Sequence, residues 1–179
     1  MKKNWIKYFI GLASCLALRL VPFRPPNVEP ILAAGMPFAK QYGYLSGFLF
    51  GAASIVAYDA VTRTVGPWTA VTAISYGLVG LGAAWFLKSR RPGALNFLAY
   101  AVAGTIAYDA LTGLTVGPLF FHQPFVDALL GQIPFTLLHL AGNTALAVTV
   151  SPLLWRWVVM NRALEPASLF RTRTRRAAA

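Results

Sequence analysis

The stretch GFLFGAASIVAYDAVTRTVGPWTAVTAISYGLVG, Gly47–Gly80, decides the fold. It joins two apolar runs, 44–62 and 68–87, through a short polar joint that ends in Gly66-Pro67. A helix of about 20 mostly apolar residues crosses roughly 30 Å of hydrocarbon, and Gly-Pro is a turn signal. The stretch therefore reads as a transmembrane helical hairpin. Working outward, four further segments of this kind follow at 5–21, 28–42, 94–113 and 125–159. The second is short and holds Pro37, so its helix is expected to be kinked or tilted. A chain that is 57% hydrophobic and 12% charged, with mean hydropathy +0.58, is not composed like a soluble domain. The expectation is an all-α integral membrane protein with six transmembrane helices. A single membrane domain spans residues 1–179, with a basic cytoplasmic tail at 160–179.

The net charge of +11 raises the question of nucleic acid, and its distribution answers it. With the N-terminus inside and six spans, thirteen of the sixteen Lys and Arg fall on the inner side. Only Arg19, Arg24 and Arg63 are left near the outer face. That is the positive-inside pattern, with both termini cytoplasmic in the plasma membrane. The RTRTRR tail then reads as an anchor beside anionic lipids, and no nucleic-acid partner is expected. The LASC motif, Leu12–Cys15, resembles a lipoprotein cleavage site, but the apolar run continues past the cysteine, so an uncleaved span is the better reading. One cysteine excludes an internal disulfide.

The tetrapeptide AYDA occurs at Ala57–Ala60 and again at Ala107–Ala110, each time followed by a Gly-Pro. Spans three and five run in the same direction, so both copies lie near their outer ends. With Glu29 and Asp127, four of the five acids gather at the outer third of the bundle. Ionisable groups in a membrane are costly and face partners, water or a functional cavity. Asp59 is four residues from Arg63 and is placed to pair with it. The Asp-x-x-Thr spacing, Asp59 with Thr62 and Asp109 with Thr112, also suits a helix-end cap. Asp109 has no basic residue within a turn. The order and orientation of the two copies make a parallel repeat of the kind common in transporters. PPNVEP, Pro25–Pro30, is too proline-rich for a helix and forms a stiff outer loop. GPLFFHQPF, Gly117–Phe125, is a second, aromatic one. His139 and Asn143 share a helix face one turn apart, and both need partners inside the bundle. The motifs for metalloprotease, P-loop or nucleophile-elbow chemistry are absent from the sequence, and neither a metal nor a cofactor is expected.

These residues resemble the substrate-binding S components of energy-coupling factor (ECF) transporters. The resemblance runs through RLVPFRPPNVEPILAAG, the opening hairpin and GQIPFTLLHLAGN, covering most of 10–155. It implies capture of a vitamin or related micronutrient from outside in a pocket near the outer surface. Delivery inward would need a transmembrane T component and two ABC-type ATPases, so the chain itself is not expected to be an enzyme. The ligand contacts it implies are Asn27, Glu29, Asp59, Trp68, Asp109 and Asn143, with Tyr58 and Tyr108 as stacking faces. Small residues spaced AxxxA on the first span, here Ala13 and Ala17, would meet the T component. Two alternatives stay open: a gradient-driven small-solute transporter, and a membrane scaffold subunit.

Overall fold

The computed structural model describes residues 4–22, 25 and 27–166, and every regular element among them is helical. The elements are α1 (Trp5–Arg19), α2 (Pro30–Tyr42), α3 (Tyr44–Thr62), α4 (Pro67–Leu87), α5 (Ala94–Gly113), the short α6 (Val116–Phe121) and α7 (Phe125–Leu154). A π-helical turn, Trp155–Val159, ends α7. Six of these helices coincide with the six apolar segments to within two residues at nearly every boundary. Four stretches are long and apolar enough to cross a membrane: α3, α4, α5 continued through α6, and α7 with its π turn. The other two, α1 at 15 residues and α2 at 13, are shorter. Lys2, Lys3, Arg24 and the RTRTRR tail lie outside the described residues.

Helices α3 and α4 make the closest contact in the bundle, and glycine is the reason. Gly47 and Gly51, spaced GxxxG on α3, face Gly77 and Gly80 on α4. A methyl group on Gly80 would collide with the carbonyl of Gly47, and one on Gly51 with the carbonyl of Tyr76. Within lipid, helix association relies on such close backbone approach, because burying apolar surface gains little there.

Helix α2 is the hub. It packs against α1, α3, α4, α5 and α7, and nine of its 13 residues are buried. Phe38 stacks on Phe50 with ring centroids 5.1 Å apart, and Tyr8 of α1 meets both rings edge-on. The helix runs on through Pro37. Proline has no N–H, which frees the carbonyl four residues back. That carbonyl belongs to Ala33, and Ser151 Oγ of α7 donates to it at 2.7 Å. The broken helical bond is replaced across the bundle, so the buried carbonyl keeps a partner.

Lysines finish the helix ends on one side of the bundle. Lys40 Nζ, near the end of α2, donates to the carbonyls of Leu87 and Lys88 at 2.7 and 2.8 Å, capping α4. A cation on these unpaired carbonyls also favours the helix dipole. Lys7 Nζ donates to Val159 O at 3.0 Å and pairs with Glu165 at 3.6 Å. The described ends of the chain therefore share one end of the bundle. The four remaining acids, Glu29, Asp59, Asp109 and Asp127, sit toward the other.

Candidate functional site

Three polar clusters form at the acid-bearing end. The first hangs on Arg19, the last residue of α1, which is 7% exposed. Its Nε meets Glu29 Oε2 at 2.9 Å, its Nη1 donates to Ser54 O at 3.1 Å, and its guanidinium lies 3.8 Å from the centre of the Tyr58 ring. Glu29 is thus bound to a cation from its own side of the bundle. The loop before α2 is pinned through it to α1 and α3. Asn27 in this loop has φ of 62°, a left-handed conformation that asparagine tolerates better than most residues. Beside it, Val28 packs on Gly142 of α7, where a Cβ would come within 3.0 Å of Val28 Cα.

The second cluster is smaller. Asp59 is buried and accepts a 2.6 Å hydrogen bond from Thr69 Oγ1 at the start of α4, whose oxygen in turn accepts the Gly66 N–H at 3.0 Å. The pairing with Arg63 suggested by their spacing does not form: Arg63 is the left-handed, exposed cap of α3. A helix end that turns at Arg63 aims the guanidinium away from the preceding turn, and Thr69 takes its place. The acid closes the α3–α4 hairpin.

The third cluster is the most buried. Asp109 and His139 are each 1% exposed, and Oδ1 meets Nδ1 at 2.7 Å between α5 and α7. One turn deeper, Asn143 Nδ2 donates to Thr105 Oγ1 at 2.8 Å. The two rungs form because α5 and α7 run antiparallel and both offer polar residues four apart. Tyr108 lies against His139 edge-on and its ring centre is 3.8 Å from that of Tyr76. The Arg19–Glu29 pair is within electrostatic reach of both tyrosines, which ties the first cluster to the third. Four side-chain atoms here are buried without a hydrogen-bond partner: Tyr76 Oη, Asp109 Oδ2, His139 Nε2 and Asn143 Oδ1. Such atoms are costly unless something binds them. With the Nδ1 hydrogen given to Asp109, the free Nε2 of a neutral His139 is an acceptor.

The two AYDA copies thus differ in use. Thr62 and Thr112 do the same thing in both, each donating to the tyrosine carbonyl one turn back. Neither threonine caps its aspartate. The Asp59 copy is satisfied within its hairpin, while the Asp109 copy reaches across to α7. Of the expected contacts, Asp109 and Asn143 stand together in one interior, Glu29 borders it through Arg19, and Asp59 is committed to Thr69. Trp68 is 37% exposed and stacks on Phe121 of α6 at 6.3 Å, a pair on the surface of the bundle. His139, Arg19 and Tyr76 were not among the expected site residues. The spacing of Thr105 with Asp109, matched by His139 with Asn143, is the signal that would have found the α5–α7 rungs.

Elsewhere, a cavity of about 370 Å³ near the chain ends is lined by Trp5, Tyr8 and Phe9 among others, and carries no acid or base to orient a substrate. Ala13 and Ala17 are exposed on the outside of α1, so they take no part in packing among the described residues. No group of three His, Cys, Asp or Glu side chains among the described residues is placed to hold a metal ion. Neither a protein-family model, a curated protein nor a solved structure matches this chain.

Proposed function

We propose that this chain is the substrate-binding membrane subunit of an ECF-type importer. It would capture a vitamin-like micronutrient from outside and pass it inward with a T component and two ABC-type ATPases. The observation that carries the reading is the α4–α5–α7 interior, where Tyr76 Oη, Asp109 Oδ2, His139 Nε2 and Asn143 Oδ1 are buried without hydrogen-bond partners. A scaffold has no use for such atoms, whereas a binding site does. In this reading all six long helices lie in the plasma membrane, α1 and α2 as short spans, with both termini cytoplasmic. Lys7, Lys40, Lys88, Arg90, Arg91, Arg156 and Arg162 then lie on the inner side, in keeping with the positive-inside rule. The exposed Ala13 and Ala17 give the T component a smooth face on α1.

One observation favours a second reading. A buried Asp–His pair at 2.7 Å is also what a proton-coupled carrier uses. Solubilisation of the tagged protein from its host membranes, with mass spectrometry of what co-purifies, separates the two. Two ATPases and one further membrane protein are expected. Recovery of the chain alone, with uptake that collapses on adding an uncoupler, refutes the importer and leaves the carrier.

A further inference from the structure

The cavity of about 370 Å³ at the basic end of the bundle follows α1 from its first turn. Asn4, Trp5, Tyr8, Phe9 and Leu12 line it, a spacing that marks one side of a helix over about 12 Å. The facing wall is the α2–α3 corner, with Tyr42 at the end of α2 and Ser46 in the first turn of α3. Tyr8 Oη joins the two walls by donating to Ser46 O at 2.8 Å. Two hydroxyls of the lining are unused: Tyr42 Oη and Ser46 Oγ are buried without a hydrogen-bond partner, and Ser46 as a whole is 1% exposed. Trp5, 56% exposed, adds an indole N–H. The Asn4 side chain caps no helical N–H, and the first turn of α1 holds no acid, so the positive end of this helix stands open. The surrounding charge has one sign. Lys7, Lys40, Lys88, Arg90 and Arg91 share this end, and the one acid among its described residues, Glu165, is paired with Lys7.

We infer that this cavity is a site for one anionic glycerophospholipid. Its phosphate lies at the N-terminus of α1, its ester carbonyls face the Trp5, Tyr42 and Ser46 donors, and an acyl chain runs along Phe9 to Leu12. Each part answers to a different feature. A helix N-terminus offers free N–H groups and a positive field to a phosphate. Uncharged donors between aromatic rings suit carbonyl oxygens, which only accept. The remaining wall is ring face and hydrocarbon, with room for roughly a dozen water-sized groups, enough for the upper part of one chain. A phosphate-free amphiphile would leave the helix end unused, and a soluble phosphate would leave the walls bare. A zwitterionic headgroup would bring a second cation to an end already crowded with them. The site is separate from the α4–α5–α7 interior, and it serves an importer subunit and a proton-coupled carrier alike.

The test titrates the purified full chain in detergent with three lipids of the same dioleoyl chains: phosphatidylglycerol, phosphatidylcholine and diacylglycerol. Bound lipid is counted by native mass spectrometry. One phosphatidylglycerol should bind about fivefold tighter than phosphatidylcholine and at least about tenfold tighter than diacylglycerol, the scale of one or two charge contacts at an interface. Asn4→Asp keeps a good capping residue, so α1 should hold its fold, but it sets a carboxylate where the phosphate would lie. It should remove the preference for phosphatidylglycerol and leave diacylglycerol binding unchanged. Tyr42→Phe should weaken all three lipids several-fold, because all carry the ester carbonyls. Phe9→Ala, at a position 65% exposed and so outside the core, should do the same by removing a wall. Equal affinity for the three lipids overturns the inference. So does a preference that survives Asn4→Asp, which would put the anionic lipid on the basic tail, and so does binding that ignores both Tyr42→Phe and Phe9→Ala.

Discussion

Replacing Gly80 by alanine tests whether the α3–α4 seam is as close as described. The added methyl points at the carbonyl carbon and oxygen of Gly47, with the Phe48 nitrogen 3.2 Å away, and none of these atoms can rotate aside. The helices must part by on the order of 1 Å, which forfeits a quarter to a half of the dispersion energy at each contact so stretched. Overpacking of this kind costs about 1–3 kcal/mol. Alanine's better helix propensity returns up to about 1 kcal/mol. Because the opposing atoms are backbone, the upper part of that range applies, and the expected net loss is about 1–2 kcal/mol, or roughly a five- to thirtyfold fall in the folded-to-unfolded ratio. Gly131→Ala is the control, since that glycine is exposed and has nothing within 4 Å of its would-be Cβ. It should be neutral or slightly stabilising. Reversible unfolding by SDS in mixed micelles, followed by tryptophan fluorescence, measures both. Equal stability of Gly80→Ala and wild type, or an equal loss in both variants, would show the argument from backbone contact to be wrong.

Three further outcomes are expected. Ser151→Ala should cost about 1–2 kcal/mol by stranding the Ala33 carbonyl, and Pro37→Ala, which restores the helical N–H, should recover most of it in the double variant; additive losses in the same unfolding assay would count against the bridge. A double-mutant cycle on Asp109→Ala and His139→Ala should give a coupling of about 1–2 kcal/mol, near the top of the range for hydrogen bonds in membranes, and a coupling near zero would mean that the pair does not form. Arg19→Lys keeps the charge and loses the planar contact with Tyr58. In a Cys15→Ser, Val28→Cys background it should raise labelling of that loop cysteine by a thiol reagent several-fold, and unchanged labelling would show that Arg19 does not pin the loop.

The helices were legible because apolar length and Gly-Pro punctuation act locally, and their ends fell where composition changes. Partner choice was less legible. Spacing offered Arg63 to Asp59, yet the left-handed turn at Arg63 redirects its side chain, and a threonine ten residues on takes the bond. Glu29 looked free for a ligand because its cation, Arg19, lies in a different helix. Asp109 and Asn143 were identifiable as buried polar groups, but the joining of each to its rung depends on the register of α5 against α7. The GxxxG at Gly47 and Gly51 is plain in the sequence. What it packs on is not, since GxxG on α4 is a common arrangement of small residues.

The shortness of α2 has a consequence for how the protein is made. Thirteen residues rise about 20 Å, well under the thickness of the hydrocarbon layer. The Ala33 carbonyl that Pro37 frees further depends on a serine 118 positions later in the chain. Such a segment gains little from entering lipid early, and its orphaned carbonyl stays unpaired until α7 has been synthesised. The α3–α4 hairpin, self-sufficient through its glycines, can assemble during translation. Helix α2 can settle into its central position only after the last helix has left the ribosome, so a helix translated second is among the last to be completed.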